Sequence, residues 1–580
     1  MTAKHSTSGW IALFIAGGLG LVVGLSRSPS ERGRESIRLG MPPVEAQSLS
    51  EPVETEYGFV RGEVLDNSIA FRGIPYAAPP VGELRWRPPQ PHARWDDVRE
   101  TVTFGPPCPQ FATVPGQEII GEEDCLTLNI WAPREPEPTL RPVMFFIHGG
   151  GNVQGSSSLS TYDGQALVER GGVVVVTINY RLGPLGFLAH PLLSAEDGEH
   201  HSSGNYGLLD QIFALQWVRR NIQNFGGDPE NITIFGESAG GLNVSSLVSS
   251  PLTSGLFHRA IVESGGFLVS RRLRDAPEAP EAESAEEFGL RFAEAIGCDG
   301  ADDPLACMRS KTVEEVLQAL RPGPPLLSNL QGGVTYGPNI DGYVLTESPL
   351  DAMLAGNHHR VPMIIGTNKN EASIFIVGMR LRSEADYRAA VERFFPRASE
   401  EVLARYPLSD YASPREAFDA ILTDLAFICP ARAASLALAF HQTPLFVYHF
   451  THAVRFPAFL RRLGAFHGLE LPFVFQSFTL IRPTSEDREL AEMMLAYWTN
   501  FARSGDPNAP DLPRWPAFTI EGDEHLILDI PITTGVGLRK EFCEFWFDLF
   551  NRGLLQRRMM THVGVGRRLS VTGTHRANLR

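Results

Sequence analysis

Two uninterrupted apolar runs constrain this chain more than any other feature. "PVMFFIHGGG" (142–151) and "GGVVVVTINYRLG" (171–183) show no polar alternation. Each therefore predicts a strand covered on both faces, the kind found inside a parallel sheet. A helical pattern follows in "GLLDQIFALQWVRRNIQNFGG" (207–227), where Leu208, Ile212, Leu215, Val218 and Ile222 recur at helical spacing. Gly226 and Gly227 predict its end. "NITIFG" (231–236) predicts another strand, and "AGGLNVSSLVSS" (239–250) a helix that opens on small residues. Strand and helix alternate, so the fold class is α/β: a largely parallel sheet with helices on both faces. The chain's 580 residues suffice for a large core, and its 55 Gly and 44 Pro predict many turns and long loops rather than a bundle.

The ends differ from the body. Lys4 precedes "GWIALFIAGGLGLVVGL" (Gly9–Leu25), a run short for a spanning helix and rich in Gly. Residues 1–26 read as a signal peptide or, because Arg27 follows without a small-x-small site, as an uncleaved signal anchor. Residues 27–52 read as a flexible linker and 53–551 as the folded domain. Residues 552–580 carry seven Arg and no acid, and read as a basic, disordered tail. No second stretch is expected to be long and apolar enough to span a bilayer. The net charge of −16 thus understates the acidity of the body. That argues against a nucleic-acid-binding core. It leaves a solvated acidic surface or a field that attracts cationic substrates. Six cysteines, an even count, suit disulfides in an exported chain, or buried free thiols in one that is not.

The chemistry centres on Gly236-Glu237-Ser238-Ala239-Gly240, a G-x-S-x-G between a predicted strand and helix. A hydroxyl is a poor nucleophile without a base, a group to orient that base and donors for the oxyanion. In this setting Ser238 would sit on a sharp turn above a helix N-terminus. His148-Gly149-Gly150-Gly151 ends an earlier strand, so the expected oxyanion donors are the amides of Gly150, Gly151 and Ala239.

At this point the chain resembles the type-B carboxylesterase/lipase family, which includes cholinesterases. The resemblance covers roughly residues 54–550 and rests on several blocks in order. They are "FRGIPYAAPPVGELRWRPPQP" (71–91), "EDCLTLNIWAP" (123–133), "NYRLGPLGFL" (179–188), "GNYGLLDQ" (204–211), "NFGGDPENITIFGESAGG" (224–241) and "FARSGDPN" (501–508). The resemblance implies an α/β-hydrolase fold with loop and helical insertions around an active-site gorge. It places the acid of a catalytic triad at Glu371 in "GTNKNEAS" (366–373) and the base at His467 in "AFHGLELPF" (465–473). Spacing alone picks neither residue, since such partners meet only in the fold. The order Ser238, Glu371, His467 is that of α/β-hydrolases. The implied reaction is carboxylic ester hydrolysis through an acyl-enzyme, with no metal or organic cofactor and a small-molecule ester as partner. The resemblance also implies three disulfides, Cys108 with Cys125, Cys298 with Cys307, and Cys429 with Cys543, which support export to a secreted or periplasmic location.

Several positions depart from the relatives. Cholinesterases hold the choline ammonium on a Trp in the first disulfide loop; here 109–124 is shorter, has no Trp, and Phe111 is its one aromatic. Asn152 stands where the family commonly has an aromatic, which predicts a more polar acyl pocket. Glu237 either favours a cationic alcohol group or serves the hydrogen bonding of the site. Ser264 in "IVESGG" reads as a buried structural serine. The sequons at Asn231 and Asn243 fall in segments expected to be buried. Two rival functions stay open: a lipase, disfavoured by the short loop, and a non-catalytic binding protein, disfavoured by the filled triad positions.

Overall fold

The computed structural model describes residues 49–112, 118–135, 138–274 and 283–555. The N-terminal signal or anchor, the linker through residue 48, and the basic tail from residue 556 lie outside the described residues.

One sheet of eleven strands organises the molecule. In chain order these are β1 (Glu63–Val64), β2 (Ser68–Pro75), β3 (Thr127–Pro133), β4 (Arg141–Ile147), β5 (Val174–Ile178), β6 (Gly227–Glu237), β7 (Arg259–Glu263), β8 (Met363–Asn368), β9 (Leu445–Phe450), β10 (Glu524–Leu528) and β11 (Thr533–Val536). Their spatial order is β11-β10-β9-β8-β7-β6-β4-β5-β3-β2-β1. Every pairing from β10 across to β5 is parallel. The strands outside that block pair antiparallel. This is the α/β-hydrolase architecture.

The apolar strands are explained by what covers them. Along β4, Val143, Phe145 and Ile147 enter one apolar cluster, while Met144 and Phe146 enter another. β5 divides the same way, Val174, Val176 and Ile178 against Val175. Helices α1 (Tyr206–Asn221) and α2 (Ala239–Ser249) build the first cluster through Leu208, Leu215, Val218, Val244 and Leu247. Burying each such side chain contributes about 1.5–3 kcal/mol, and with both faces collecting it no polar alternation survives. The expected end of α1 is a single 3-10 turn, Ile222–Phe225, received by Gly226 at φ 80°. The segment "NITIFG" belongs to a longer strand, with a register shift between Gly227 and Ile232.

Helix α3 (Pro414–Phe440) corrects one expectation: its length and hydropathy do suit a membrane span. Most of it is buried inside the fold, where Ala417, Phe418, Ile421 and Leu422 pack in a third apolar cluster. Buried Asp419 and Asp424 interrupt its apolar run, and the run is core rather than span. Helix α4 (Ser485–Ser504) covers the second face of the sheet with Leu490, Met494, Trp498 and Phe501. Helix α5 (Lys540–Asn551) is joined to α3 by the Cys429–Cys543 disulfide. Cys108–Cys125 and Cys298–Cys307 are also bonded, and no free cysteine remains among the described residues.

The sheet order locates the site. β5 and β6 flank β4 on opposite sides. The loops leaving the carboxyl ends of β4 and β6 therefore diverge and leave a crevice, the usual place for a ligand in such sheets. The loop after β4 is His148–Gly151, and the turn after β6 carries Ser238.

Candidate active site

Ser238 joins β6 directly to α2 at φ 59°, ψ −121°, a backbone conformation strained for a residue with a side chain. The surroundings over-determine it. The Ser238 amide donates to Glu263 O on β7 at 3.0 Å, and Ser238 O accepts from Leu242 N–H at 3.0 Å. Glycine is required at 240, since a Cβ there would lie 2.0 Å from Ile147 O. Among the described residues, the Ser238 hydroxyl has no hydrogen-bond partner.

Opposite the elbow, three successive residues turn left-handed: Gly150 at φ 108°, Gly151 at φ 65° and Asn152 at φ 58°. Gly150 has no room for a Cβ, which would meet Gln154 O at 2.1 Å. The strand end behind them is held by Tyr180, whose hydroxyl donates to His148 O at 2.8 Å and whose ring stacks on the His148 imidazole. Among the described hydrogen bonds, none uses the amides of Gly150, Gly151 or Ala239.

The distant residues meet here too. Glu371 follows β8 and is fully buried; its Oε1 accepts the Asn368 amide at 2.6 Å. Its Oε2 lies 2.6 Å from His467 Nδ1. The other imidazole nitrogen, Nε2, lies 3.1 Å from Oε1 of Glu237, the residue before Ser238. That contact is not a hydrogen bond, and among the described residues neither atom has a hydrogen-bond partner. The rings of Phe375 and Phe427 rest against the imidazole at 5.0 and 4.9 Å.

The electrostatics are dominated by burial. Burial opposes a charge on His467, but the carboxylates of Glu237 and Glu371 outweigh it and raise the imidazole to about 9. Burial pushes Glu237 up to about 7; the His467 charge opposes that rise and Glu371 adds to it.

Two further acids escaped the sequence reading. Glu470 is fully buried, is held by Asn368 Nδ2, and is pushed well above the carboxylate range by burial. An isolated acid in the otherwise apolar "AFHGLELPF" was its one signal. Glu263, buried at the end of β7, accepts Trp498 Nε1–H at 2.7 Å, and burial raises it to about 8.

The model of the carboxylesterase family matches residues 50–546. The chain belongs to the carboxylesterase family. Human (Homo sapiens) cocaine esterase is 35% identical over 553 residues, covering 87% of this chain and 92% of the human protein. Para-nitrobenzyl esterase of Bacillus subtilis (strain 168) is 36% identical over 500 residues, 83% of this chain and 95% of its own length. Mouse (Mus musculus) cholinesterase is 35% identical over 544 residues, 87% of each chain. This carboxylesterase is a carboxylic ester hydrolase.

The remaining positions singled out in this carboxylesterase are also placed. Asn152 is buried, and its Oδ1 accepts from Asn243 Nδ2 at 2.9 Å and from the Tyr180 hydroxyl at 3.3 Å. Phe111 is covered by the Arg321 guanidinium, 4.1 Å from the ring centroid. Residues 113–117 of its loop lie outside the described residues. Ser264 is buried at φ 47°, and among the described residues its hydroxyl has no hydrogen-bond partner. Asn243 is fully buried, and Asn231 is half-buried with its Oδ1 taken by Arg259.

Proposed function

We propose that this carboxylesterase hydrolyses small carboxylic esters through a Ser238–His467–Glu371 triad and an acyl-enzyme. One observation carries the reading: the imidazole of His467 is held through Nδ1 by Glu371 while Nε2 lies 3.1 Å from Glu237 Oε1, the side chain next to Ser238 in the chain. Ser238 Oγ attacks the ester carbonyl and His467 takes its proton. Glu371 holds the imidazole tautomer and offsets the charge that forms. The amides of Gly150, Gly151 and Ala239, which none of the described hydrogen bonds uses, receive the oxyanion. The alcohol leaves with the proton from His467, and water repeats the sequence on the acyl-enzyme. The Ser238–His467 hydrogen bond forms as substrate binds, as is common for catalytic pairs.

The substrate is read as a small, non-choline ester. The first disulfide loop has no Trp, and its one aromatic, Phe111, already stacks on a cation, Arg321. The relatives' names, cocaine esterase and para-nitrobenzyl esterase, support a small-molecule ester. Three disulfides support export, with residues 53–551 as the hydrolase domain between an N-terminal signal or anchor and a basic tail.

A panel of p-nitrophenyl and choline esters of graded acyl length tests the reading. Short neutral esters are expected to give the highest kcat/KM. A preference for choline esters would overturn the substrate class. Activity that rises sharply above a micellar threshold would replace it with a lipase.

A further inference from the structure

The segment that delivers His467 to the site carries a surface which ester hydrolysis does not explain. Residues 455–462, "RFPAFLRR", form an arch between the end of β9 and His467. The arch is rooted in the core by Val454, Leu460 and Leu463. It is also tied to the loop bearing Glu371. Ser373 Oγ donates to Leu463 O at 2.7 Å, and Asn370 N–H donates to Ala465 O at 2.9 Å. Its outward side therefore belongs to the same end of the sheet as the site.

That outward side is apolar and basic together. Phe456 is 56% exposed and Phe459, three residues on and within the short helix Ala458–Arg461, is 49% exposed. Two large aromatics so exposed, three residues apart in the chain, are apolar surface that a protein seldom leaves to water. Beside them Arg461 and Arg462 are exposed, and among the described residues neither has an ion-pair partner. Arg455, also exposed, pairs with Glu486. No acid occurs from residue 425 to residue 469, in a chain whose net charge is −16. The arch is thus a local reversal of the protein's charge that also carries two exposed aromatic rings.

We infer that the Phe456–Phe459 arch docks this esterase on an anionic lipid surface. Free guanidinium groups attract acidic headgroups, and exposed aromatic rings enter the boundary beneath them. The acidic body would be repelled by that surface, so the attraction also orients the molecule with the arch downward. The site would then face the phase in which lipophilic esters dissolve. This goes beyond the proposed hydrolysis and is independent of which residue is the nucleophile.

The test places a probe on the arch itself, because the chain has other apolar and basic segments. All cysteines among the described residues are paired. Ala458→Cys in the full chain, labelled with an environment-sensitive dye, is titrated with phosphatidylcholine vesicles and with phosphatidylcholine–phosphatidylglycerol vesicles. The emission is expected to shift to the blue and intensify with the anionic vesicles only, and to reverse at high salt. Arg461→Glu with Arg462→Glu should weaken that response by roughly 30-fold or more, with hydrolysis of a soluble p-nitrophenyl ester unchanged. Phe456→Ser with Phe459→Ser should abolish the blue shift. A dye that does not respond to anionic vesicles overturns the inference, even where the chain sediments with them. A response to polyglutamate as strong as to the vesicles also overturns it and assigns the arch to an acidic polypeptide.

Discussion

Nδ1 of His467 and Oε2 of Glu371 lie 2.6 Å apart although 96 residues separate them in the chain. Glu371 is fully buried and spends its second oxygen on the Asn368 amide. The carboxylate is thus fixed before it meets the imidazole. Glu371→Gln keeps the shape but allows the wrong tautomer of His467. The expected outcome is a fall in kcat of about 10³–10⁴ with KM little changed. Steady-state kinetics on a p-nitrophenyl ester, with circular dichroism to check the fold, measures it.

Glu237 faces the other imidazole nitrogen. After burial, which lowers the imidazole pKa, the Glu237 charge is the strongest influence on His467 and raises it. A base must be neutral to accept a proton, so a raised imidazole moves the acidic limb of the rate profile to higher pH. Glu237→Gln removes that charge, and the acidic limb of kcat/KM is expected to move to lower pH. The same shift ties stability to pH. With a folded value near 9, above the ordinary 6.5, His467 contributes stability that is full below 6.5 and lost as pH rises through 9. Glu237, itself raised from the ordinary 4.5 to about 7, is charged at a cost above that value, which adds to the same trend, so the variant should lose more stability at pH 6 than at pH 10, as chemical denaturation at the two pH values would show.

Gly150 is the least replaceable residue of the glycine run. Its φ of 108° and the 2.1 Å approach of a Cβ to Gln154 O leave no unstrained place for alanine. Gly150→Ala must shift the loop and with it the amides proposed to receive the oxyanion. The expected loss is about 10²–10³ in kcat, with about 1–3 kcal/mol of stability. Kinetics and thermal melts on the same preparation measure both.

Much of the fold was legible because burial on two faces leaves a mark on sequence. β4, β5 and the elbow could be read from apolar runs and glycines, since a Cβ at 240 would strike Ile147 O. α3 was not legible as one long helix, because Asp419 and Asp424 interrupt its apolar pattern and are tolerated only through partners such as Asn370 and Arg539. Glu371 and His467 carry no local pattern, and only resemblance pointed to them. Glu470 escaped because its meaning lies in burial beside Asn368, which no spacing encodes. The outward turn of Phe456 and Phe459 was likewise invisible, since exposed and buried phenylalanines look alike in a sequence.

The most direct test of the central claim is a serine-directed fluorophosphonate on the folded protein, followed by peptide mass mapping. One covalent adduct is expected, located on Ser238 in "FGESAGG" and absent from a folded Ser238→Ala variant that has also lost turnover. No adduct on the folded protein, or an adduct and turnover that survive Ser238→Ala, would contradict it.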